Sequence, residues 1–209
     1  KLKDLVLTET EYSLIFSAFD FLSSESEADT WIESLRSEYG ELDGVIHCAG
    51  MQSPKTIRDY SRQYFLDLLT VNVSSSFEIA KGLRKRRKGC PCKLVLLSSI
   101  AAYLGQPSNT VYAASKAALN SVCKGLASEL KRDDISVTAI APGMVESLIA
   151  NKTETLLGAV NYQAIKDKHP QGFASSEYIA KIISFLLTPE GFYLNGNVID
   201  YEGGYLANI

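Results

Sequence analysis

The chain has 209 residues, of which 46% are hydrophobic and 22% charged, and its formal net charge at pH 7 is -3. Such a length suits one α/β domain, which buries roughly 70% of the surface that its unfolded form exposes. The small net charge excludes a general attraction to nucleic acid or to acidic lipid, and no span of about 18 apolar residues is found. We therefore expect a cytoplasmic protein with a small-molecule partner.

The predicted strands alternate with longer helical patterns, which is typical of a doubly wound parallel sheet with helices on both faces. Ser24 and Glu27 are spaced as a capping box for a first helix, which Gly40 ends. Residues 111–130 form a later helix rich in alanine, serine and glycine. The predicted strands cover residues 12–18, 44–48, 93–98, 136–141 and 197–200.

The four cysteines, at positions 48, 90, 92 and 123, include no Cys-x-x-Cys pair and none of the paired spacings that zinc sites use. We predict reduced thiols and no metal site. Cys90 and Cys92 could instead form a redox pair or half of a metal site, but no histidine or second pair stands nearby.

One spacing points to chemistry. Ser99 ends the apolar run LVLLSS, Tyr112 follows it by thirteen residues, and Lys116 comes four residues later. Tyr162 and Lys166 repeat the second spacing, but an isoleucine stands thirteen residues before that tyrosine. The carboxyl ends of parallel strands are where open α/β sheets bind ligands, and Ser99 follows such an end.

Tyr112 suits proton transfer to a carbonyl oxygen. A free phenol has a pKa near 10, and a cation one helical turn away on the same face lowers such a pKa. Lowering it by about three would correspond to roughly 4 kcal/mol of phenolate stabilisation. Ser99 would stabilise charge on the substrate oxygen with a hydrogen bond. Singly, Ser99 could be a strand terminator, Lys116 a solvated residue and Asn72 a helix cap; together, their spacing favours catalysis.

These residues belong to a series of motifs that runs along essentially the whole chain. The series is Asp20 after a strand, HCAG ending at Gly50, VNV around Asn72, LLSS, Tyr112 with Lys116, PGMVES from Pro142, and IDYEGGY near the end. In this order the chain resembles the short-chain dehydrogenase/reductase family. The resemblance implies a Rossmann-like fold and an NAD(P)-dependent oxidoreductase that interconverts a carbonyl and an alcohol by hydride transfer, with Tyr112 as the acid and base.

The resemblance also implies roles for single residues. Asn72 bends its helix and positions a water that leads from Lys116 toward solvent, and Lys116 holds the nicotinamide ribose. The implied catalytic residues are Asn72, Ser99, Tyr112 and Lys116. The implied cofactor-binding residues are Asp20, Ala49, Gly50, Tyr112, Lys116, Pro142, Gly143, Val145 and Ser147. The cofactor is NAD or NADP, without a choice between them.

Two positions depart from the family pattern. His47 and Cys48 replace the usual Asn-Asn, and Ser147 replaces the commoner threonine while keeping its hydroxyl. The first change puts some hydrogen bonds at the strand end in doubt. We interpret His47 as a buried histidine with satisfied hydrogen bonds and not as a catalytic one.

A substrate lid is expected at residues 148–173. The candidate pocket residues are mostly apolar and include no arginine for a carboxylate, which favours an acyl chain, a sugar derivative or an alicyclic ketone as the carbonyl or alcohol substrate. These candidates are Tyr103, Leu104, Gln106, Met144 and Leu148.

The Gly-rich phosphate loop of the family is not found in the sequence, so residues 1–209 are interpreted as one NAD(P)-binding domain that lacks strands one and two of the family. Those strands lie between strands three and four in family topology, and their loss would leave a gap of about 14 Å between residues 12–18 and 44–48. Facing unpaired edges are unstable. We expect roughly 35 to 45 residues upstream in the natural protein.

Two other functions remain open. A 3-oxoacyl-(acyl carrier protein) reductase of the same family would use the basic run at residues 84–88 for docking, although a solvated helix end explains that run as well. A non-catalytic nucleotide-sensing protein would need no tyrosine with a lowered pKa. The small residues of helix 111–130 allow another helix to approach closely, and the family resemblance implies that this helix and the one after Asn72 form the interface of a homodimer or homotetramer. Packing on the protein's own sheet is the alternative.

Overall fold

A computed structural model describes residues 15–23, 27–146 and 159–208 of the chain. Within these ranges the helices are α1 (Ala28–Tyr39), α2 (Arg62–Leu69), α3 (Ser75–Arg84), α4 (Thr110–Glu129), α5 (Ala159–Asp167) and α6 (Ser176–Leu186). The strands are β1 (Gly44–His47), β2 (Cys92–Leu97), β3 (Ile135–Pro142), β4 (Val145–Glu146), β5 (Ala174–Ser175) and β6 (Val198–Tyr201).

The main sheet is parallel and has the strand order β1-β2-β3-β6. Side chains alternate between its faces, so neighbouring residues of β2 enter different cores. Leu94 and Leu96 pack with residues of α1, α3 and α4 such as Leu83. Val95 packs on the opposite face with Leu186 of α6. The predicted α/β architecture with helices on both faces is confirmed.

The first predicted strand, residues 12–18, is the main difference. Residues 12–14 lie outside the described ranges, and residues 15–18 form no strand. A strand needs a hydrogen-bonded neighbour, and this segment instead lies over α1. Trp31 donates a hydrogen bond to Ser17 at 3.1 Å, and its ring stacks on Phe19 with centroids 4.7 Å apart.

The capping box is not formed as predicted. Ser24 lies outside the described ranges, and Glu27 itself is the N-cap residue, with no side-chain bond to the helix backbone. The end of α1 agrees with the sequence, because Gly40 follows it at φ 95°, a conformation that favours glycine.

A fully buried lysine joins the sheet to the segment after α6. The Nζ atom of Lys93 donates to Ser136 Oγ at 2.9 Å, to Thr138 Oγ1 at 2.6 Å and to the carbonyl of Gly191 at 3.0 Å. Burial lowers the pKa of Lys93 to about 8. Its three acceptors compensate the loss of water around the ammonium.

No helix in the described ranges is long and apolar enough to cross a membrane. The four cysteines are free thiols, including the Cys90 and Cys92 pair. Among the residues that the structure describes, no group of three or more His, Cys, Asp or Glu side chains could hold a metal ion.

Candidate active site

The predicted catalytic residues meet at the carboxyl ends of β1, β2 and β3. Ser99 follows β2, and α4 carries Tyr112 and Lys116 past it. Asn72 reaches the same place from a π-helical segment, Thr70–Ser74, that joins α2 to α3. Such a wide turn is rare and often occurs at functional sites.

Asn72 connects the loop after β1 to α4. Its Oδ1 accepts the backbone N–H of Met51 at 2.7 Å, and its Nδ2 donates to the carbonyl of Met51 and to Ser115 Oγ, both at 3.0 Å. The amide thus pairs with Met51 as a neighbouring strand would. Only 1% of Asn72 is exposed, and the residue lies inside the helical segment, so it is not a helix cap.

Lys116 is buried and faces the same loop. Its Nζ donates to the carbonyl of Leu97 at 2.7 Å and lies 5.6 Å from the centroid of the Tyr112 ring. Burial lowers the pKa of Lys116 to about 8. A side chain on Gly50 would place its Cβ 3.7 Å from this Nζ and 3.4 Å from Asn72 Oδ1. Lys116 is therefore no solvated helix residue.

The Tyr112 hydroxyl lies near the Ser99 side chain, whose hydroxyl favours the ionised form of the phenol. Ser99 Oγ also accepts the backbone N–H of Ala101 at 3.1 Å, which leaves its own proton for donation. Burial raises the pKa of Tyr112, and the Ser99 hydroxyl acts against that rise. The expectation that Lys116 lowers this pKa is not met in the protein without coenzyme, because burial outweighs a cation that sits 5.6 Å from the ring.

Two serines to which the sequence reasoning gave no role support this group. Ser115 is fully buried, donates to the carbonyl of Tyr112 at 2.7 Å and accepts from Asn72. Ser98 bonds to Asn120 Oδ1 at 2.5 Å. The sequence offered one signal for Ser115, namely its position directly before Lys116 on a helix that packs on the sheet.

His47 is buried, as predicted, with 4% of its surface exposed. Its Nε2 lies 2.6 Å from Ser75 Oγ, and the hydroxyl of Ser75 donates to the carbonyl of Val71 at 2.6 Å. Ser75 has one proton, so the proton of the first bond belongs to His47 Nε2. This pair joins the end of β1 to the π-helical segment. Burial, with a smaller effect of the Lys116 charge, lowers the pKa of His47 to about 4.

The pKa of His47 predicts an acid-dependent stability. An unfolded histidine binds a proton near pH 6.5, whereas the native imidazole stays neutral until about pH 4. The neutral, buried His47 therefore contributes its full stability to the native state above about pH 6.5. As the pH falls toward 4, the free energy of unfolding decreases by roughly 2 to 3 kcal/mol. Urea unfolding of wild type and His47→Gln between pH 7 and 4 measures this loss. If the free energy of unfolding falls as steeply with pH in the variant as in wild type, His47 is not the group responsible.

The residues present fit the nicotinamide end of a dinucleotide. Lys116 Nζ makes one hydrogen bond to the described protein, so two of its N–H groups remain for a ribose diol beside Gly50. Gly143 donates to the carbonyl of Tyr201 at 3.0 Å, and a Cβ there would lie 3.1 Å from the Cα of Glu202. A side chain at this position would force the loop at residues 142–145 and the residue after β6 apart by a few tenths of an ångström.

The other predicted cofactor residues are less closely grouped. Asp20 is exposed, and its carboxylate accepts the backbone N–H of Leu22 at 2.9 Å, as a turn former does. Ala49 is exposed in the loop before Met51, and Val145 pairs with Ala174 in the small β4-β5 sheet. Ser147 and Leu148 lie outside the described residues, as do residues 149–158 of the expected lid.

A cavity of about 230 Å³ opens beside Ser99 and Tyr112. Among the predicted pocket residues, Leu104, Gln106 and Met144 line it. Tyr103 is not among its described lining residues, because side chains in a 3₁₀ turn point in successive directions. Burial and the nearby Asp200 carboxylate raise the pKa of its hydroxyl, and Asn120 acts against that rise. The lining residues that the sequence reasoning missed include Gln52, Asn109, Ile165, His169 and Tyr205.

A parallel α/β sheet with this Asn, Ser, Tyr and Lys group at its carboxyl edge defines the class of nucleotide-dependent oxidoreductases. A family model described as enoyl-(acyl carrier protein) reductase matches residues 16–206. The chain belongs to the short-chain dehydrogenase/reductase family, as its motifs indicated, and is an NAD(P)-dependent oxidoreductase of carbonyl and alcohol groups.

Individual relatives agree with this membership. A tropinone reductase homolog of Datura stramonium is 28% identical over 191 residues, which are 90% of this chain and 71% of the relative. The 3-oxoacyl-(acyl carrier protein) reductase FabG of Escherichia coli is 26% identical over 188 residues, 88% of this chain and 74% of the relative. The L-sorbose reductase of Gluconobacter frateurii, solved with NADPH and L-sorbose, is 27% identical with a TM-score of 0.80, over 92% of this chain and 76% of that one.

Proposed function

We propose that this protein reduces a neutral carbonyl compound, or oxidises the corresponding alcohol, with Tyr112 as the acid and base. The observation that carries the proposal is the meeting of Ser99 and Tyr112 at one cavity, with Lys116 and Asn72 behind them. Ser99 has one proton, which is directed to Tyr112 in this structure and turns to the substrate oxygen when a carbonyl compound binds between the two hydroxyl groups. Both hydroxyl groups can therefore hydrogen-bond to the same oxygen atom of the substrate.

A bound nicotinamide coenzyme supplies the hydride and, in its oxidised form, a positive charge that favours the Tyr112 phenolate. Lys116 holds the ribose diol with its two uncommitted N–H groups, and Asn72 keeps the loop around Met51 in place beside it. Asp20, Ala49, Gly50, Pro142, Gly143, Val145 and Ser147 complete the proposed coenzyme contacts. The coenzyme is NAD or NADP, and the likeness to a reductase solved with NADPH supports NADP.

The described lining of the cavity favours an uncharged substrate. Leu104 and Ile165 are apolar, and the side chains of Gln52, Gln106 and Asn109 are neutral amides. The Nε2 of Gln52 lies 3.4 Å from Asn109 Oδ1, a long bond that a substrate hydroxyl could replace. Among the acyl, sugar and alicyclic compounds that the sequence left open, likeness to L-sorbose reductase supports a sugar derivative.

A 3-oxoacyl-(acyl carrier protein) reductase is the second candidate, which the likeness to FabG supports. The basic run at residues 84–88 adds nothing to it. Arg84 pairs with Asp133 at 3.0 Å, and Arg86 lies near the carbonyls of Leu42 and Pro91. These partners precede the strands, so the run lies at the opposite edge of the sheet from Tyr112.

The assembly and the location of the protein are further parts of the proposal. The small residues of α4 and the exposed Phe77 of α3, 49% accessible, support a homodimer or homotetramer built on these helices.

The outer edge of β1 pairs with no described strand, and the family's first two strands with the phosphate loop are proposed to pair there. We also propose a cytoplasmic location, with neither a membrane nor a nucleic acid as partner.

The proposal is tested by following NADH and NADPH at 340 nm with the full-length protein and a panel of ketoses, alicyclic ketones and 3-oxoacyl thioesters. We expect carbonyl-dependent oxidation, slowed about 100-fold in Ser99→Ala because one oxyanion donor is lost. Ser37→Ala, an exposed serine on α1, is the matched control. Tight coenzyme binding without turnover of any compound would favour the nucleotide-sensing alternative instead.

A further inference from the structure

A second buried histidine lies at the cavity and has no part in the proposed proton transfer. His169 follows α5 by two residues, and 6% of it is exposed. Its Nδ1 lies 2.8 Å from the carbonyl of Ile165, and its Nε2 accepts the backbone N–H of Met144 at 3.4 Å. The imidazole thus bridges the last turns of α5 and the loop between β3 and β4.

The hydrogen bonds decide the form of the ring. A carbonyl oxygen only accepts, so Nδ1 carries the proton and Nε2 offers its lone pair to Met144. Both nitrogens are therefore engaged while the ring is neutral. The rings of Phe173 and Tyr205 pack on it with centroid distances of 4.9 and 4.5 Å and hold its plane in this orientation.

The loop that His169 reaches is held at its end by the pairing of Val145 with Ala174, and three backbone hydrogen bonds hold Gly143 and Met144 before it. Gly143 donates to the carbonyl of Tyr201 at 3.0 Å, and the carbonyl of Met144 accepts from Ala174 at 3.1 Å. The N–H of Met144 has His169 as its acceptor in the described part of the chain. Two of these three anchors come from residues 169–174, directly after α5.

We infer that His169 is a positioning residue that couples α5, whose Ile165 forms a cavity wall, to the backbone of Met144 and Val145. The inference rests on the proposed function in one respect, since that loop is proposed to contact the nicotinamide. When α5 moves away, Nε2 moves with it, and the loop loses the acceptor that orients Met144. Substrate enclosure and coenzyme binding are in this way linked through one imidazole.

Three variants separate the two hydrogen bonds. His169→Phe keeps a ring of similar size against Phe173 and Tyr205 but removes both bonds. His169→Gln can place its amide oxygen near the position of Nε2, whereas His169→Asn reaches only the position of Nδ1. Lys168→Ala, at the exposed neighbouring position, is the matched control.

The first readout is hydrogen exchange at the Met144 amide in the full-length protein without coenzyme. We expect exchange at least tenfold faster in the Phe and Asn variants and within about threefold of wild type in the Gln variant and the control. The second readout is kinetic: the KM for coenzyme should rise about tenfold in the Phe variant, with kcat within about threefold.

Unchanged exchange at Met144 in the Phe and Asn variants overturns the inference, whether or not the enzyme is active. So does a fall in kcat with an unchanged KM, since a positioning role predicts the reverse. If the Phe variant fails to fold, the contrast between Gln and Asn decides. The exchange measurement needs no turnover, so a failure of the proposed reductase activity would be seen separately.

Discussion

Replacing Tyr112 with phenylalanine is expected to lower kcat by about 1,000-fold, within the range that general acid–base catalysis contributes. The change removes only the hydroxyl that lies near Ser99. The ring remains, with Lys116 Nζ 5.6 Å from its centroid, so the packing of α4 on the sheet is kept. Because burial already raises the pKa of Tyr112, the phenol is a proton donor at neutral pH, and phenylalanine has no proton to give.

The measurement is the steady-state rate with the best carbonyl substrate, together with the melting temperature and the affinity for coenzyme. The melting temperature and the coenzyme affinity should both stay near wild type, since Ser99, the group beside the lost hydroxyl, is partly exposed and can bond to water instead. Tyr193→Phe, at a tyrosine that is 95% exposed, is the control and should be fully active. A Tyr112→Phe enzyme with more than about a tenth of the wild-type rate would remove Tyr112 from the mechanism.

Replacing Asn72 with alanine is expected to reduce the free energy of unfolding by about 3 to 4 kcal/mol and the rate by about 100-fold. Three hydrogen-bonding groups lose their partner at once: the N–H and carbonyl of Met51 and the hydroxyl of Ser115. A partly buried polar group left without a partner costs about 1 to 3 kcal/mol. The loop around Met51 then no longer holds its distance from Lys116.

Urea unfolding and steady-state kinetics on the same preparation measure both effects. Asn72→Asp is informative beside the alanine variant, because it keeps an acceptor for Met51 but loses both donors, and we expect intermediate stability. Asn208→Ala, at an exposed position, serves as the control. An alanine variant as stable as wild type would mean that water replaces the amide; one that is destabilised yet fully active would make Asn72 structural only.

The parts of the site that could be read from the sequence are those whose geometry is local. Tyr112 and Lys116 are four residues apart on one helix, so a helical turn alone brings them together. Ser99 is at a strand end, where an apolar run stops. The lowered pKa of Tyr112 is not met in the protein without coenzyme, because a spacing reports the nearby cation and not the burial, which dominates here.

Contacts between residues that are far apart in the chain could not be found in this way, even where the residue itself, such as Asn72, was singled out. Asn72 and Met51 are 21 residues apart, and His169 and Met144 are 25 apart. Nothing in the spacing of either pair requires a contact. Tyr103 was predicted to line the pocket together with Leu104, which follows it in the sequence. Its side chain instead lies near Asp200.

By itself the sequence determined the fold class, the family and the identity of the Ser, Tyr and Lys group, because alternating strands and helices and the spacing of residues on one element are local properties. Tertiary structure alone decided that Asn72 replaces a strand partner for Met51, that the run at residues 84–88 lies at the far edge of the sheet, and that His169 joins α5 to Met144. The physical reason is that these relations depend on how separate elements pack, and packing brings together residues whose separation along the chain carries no signal.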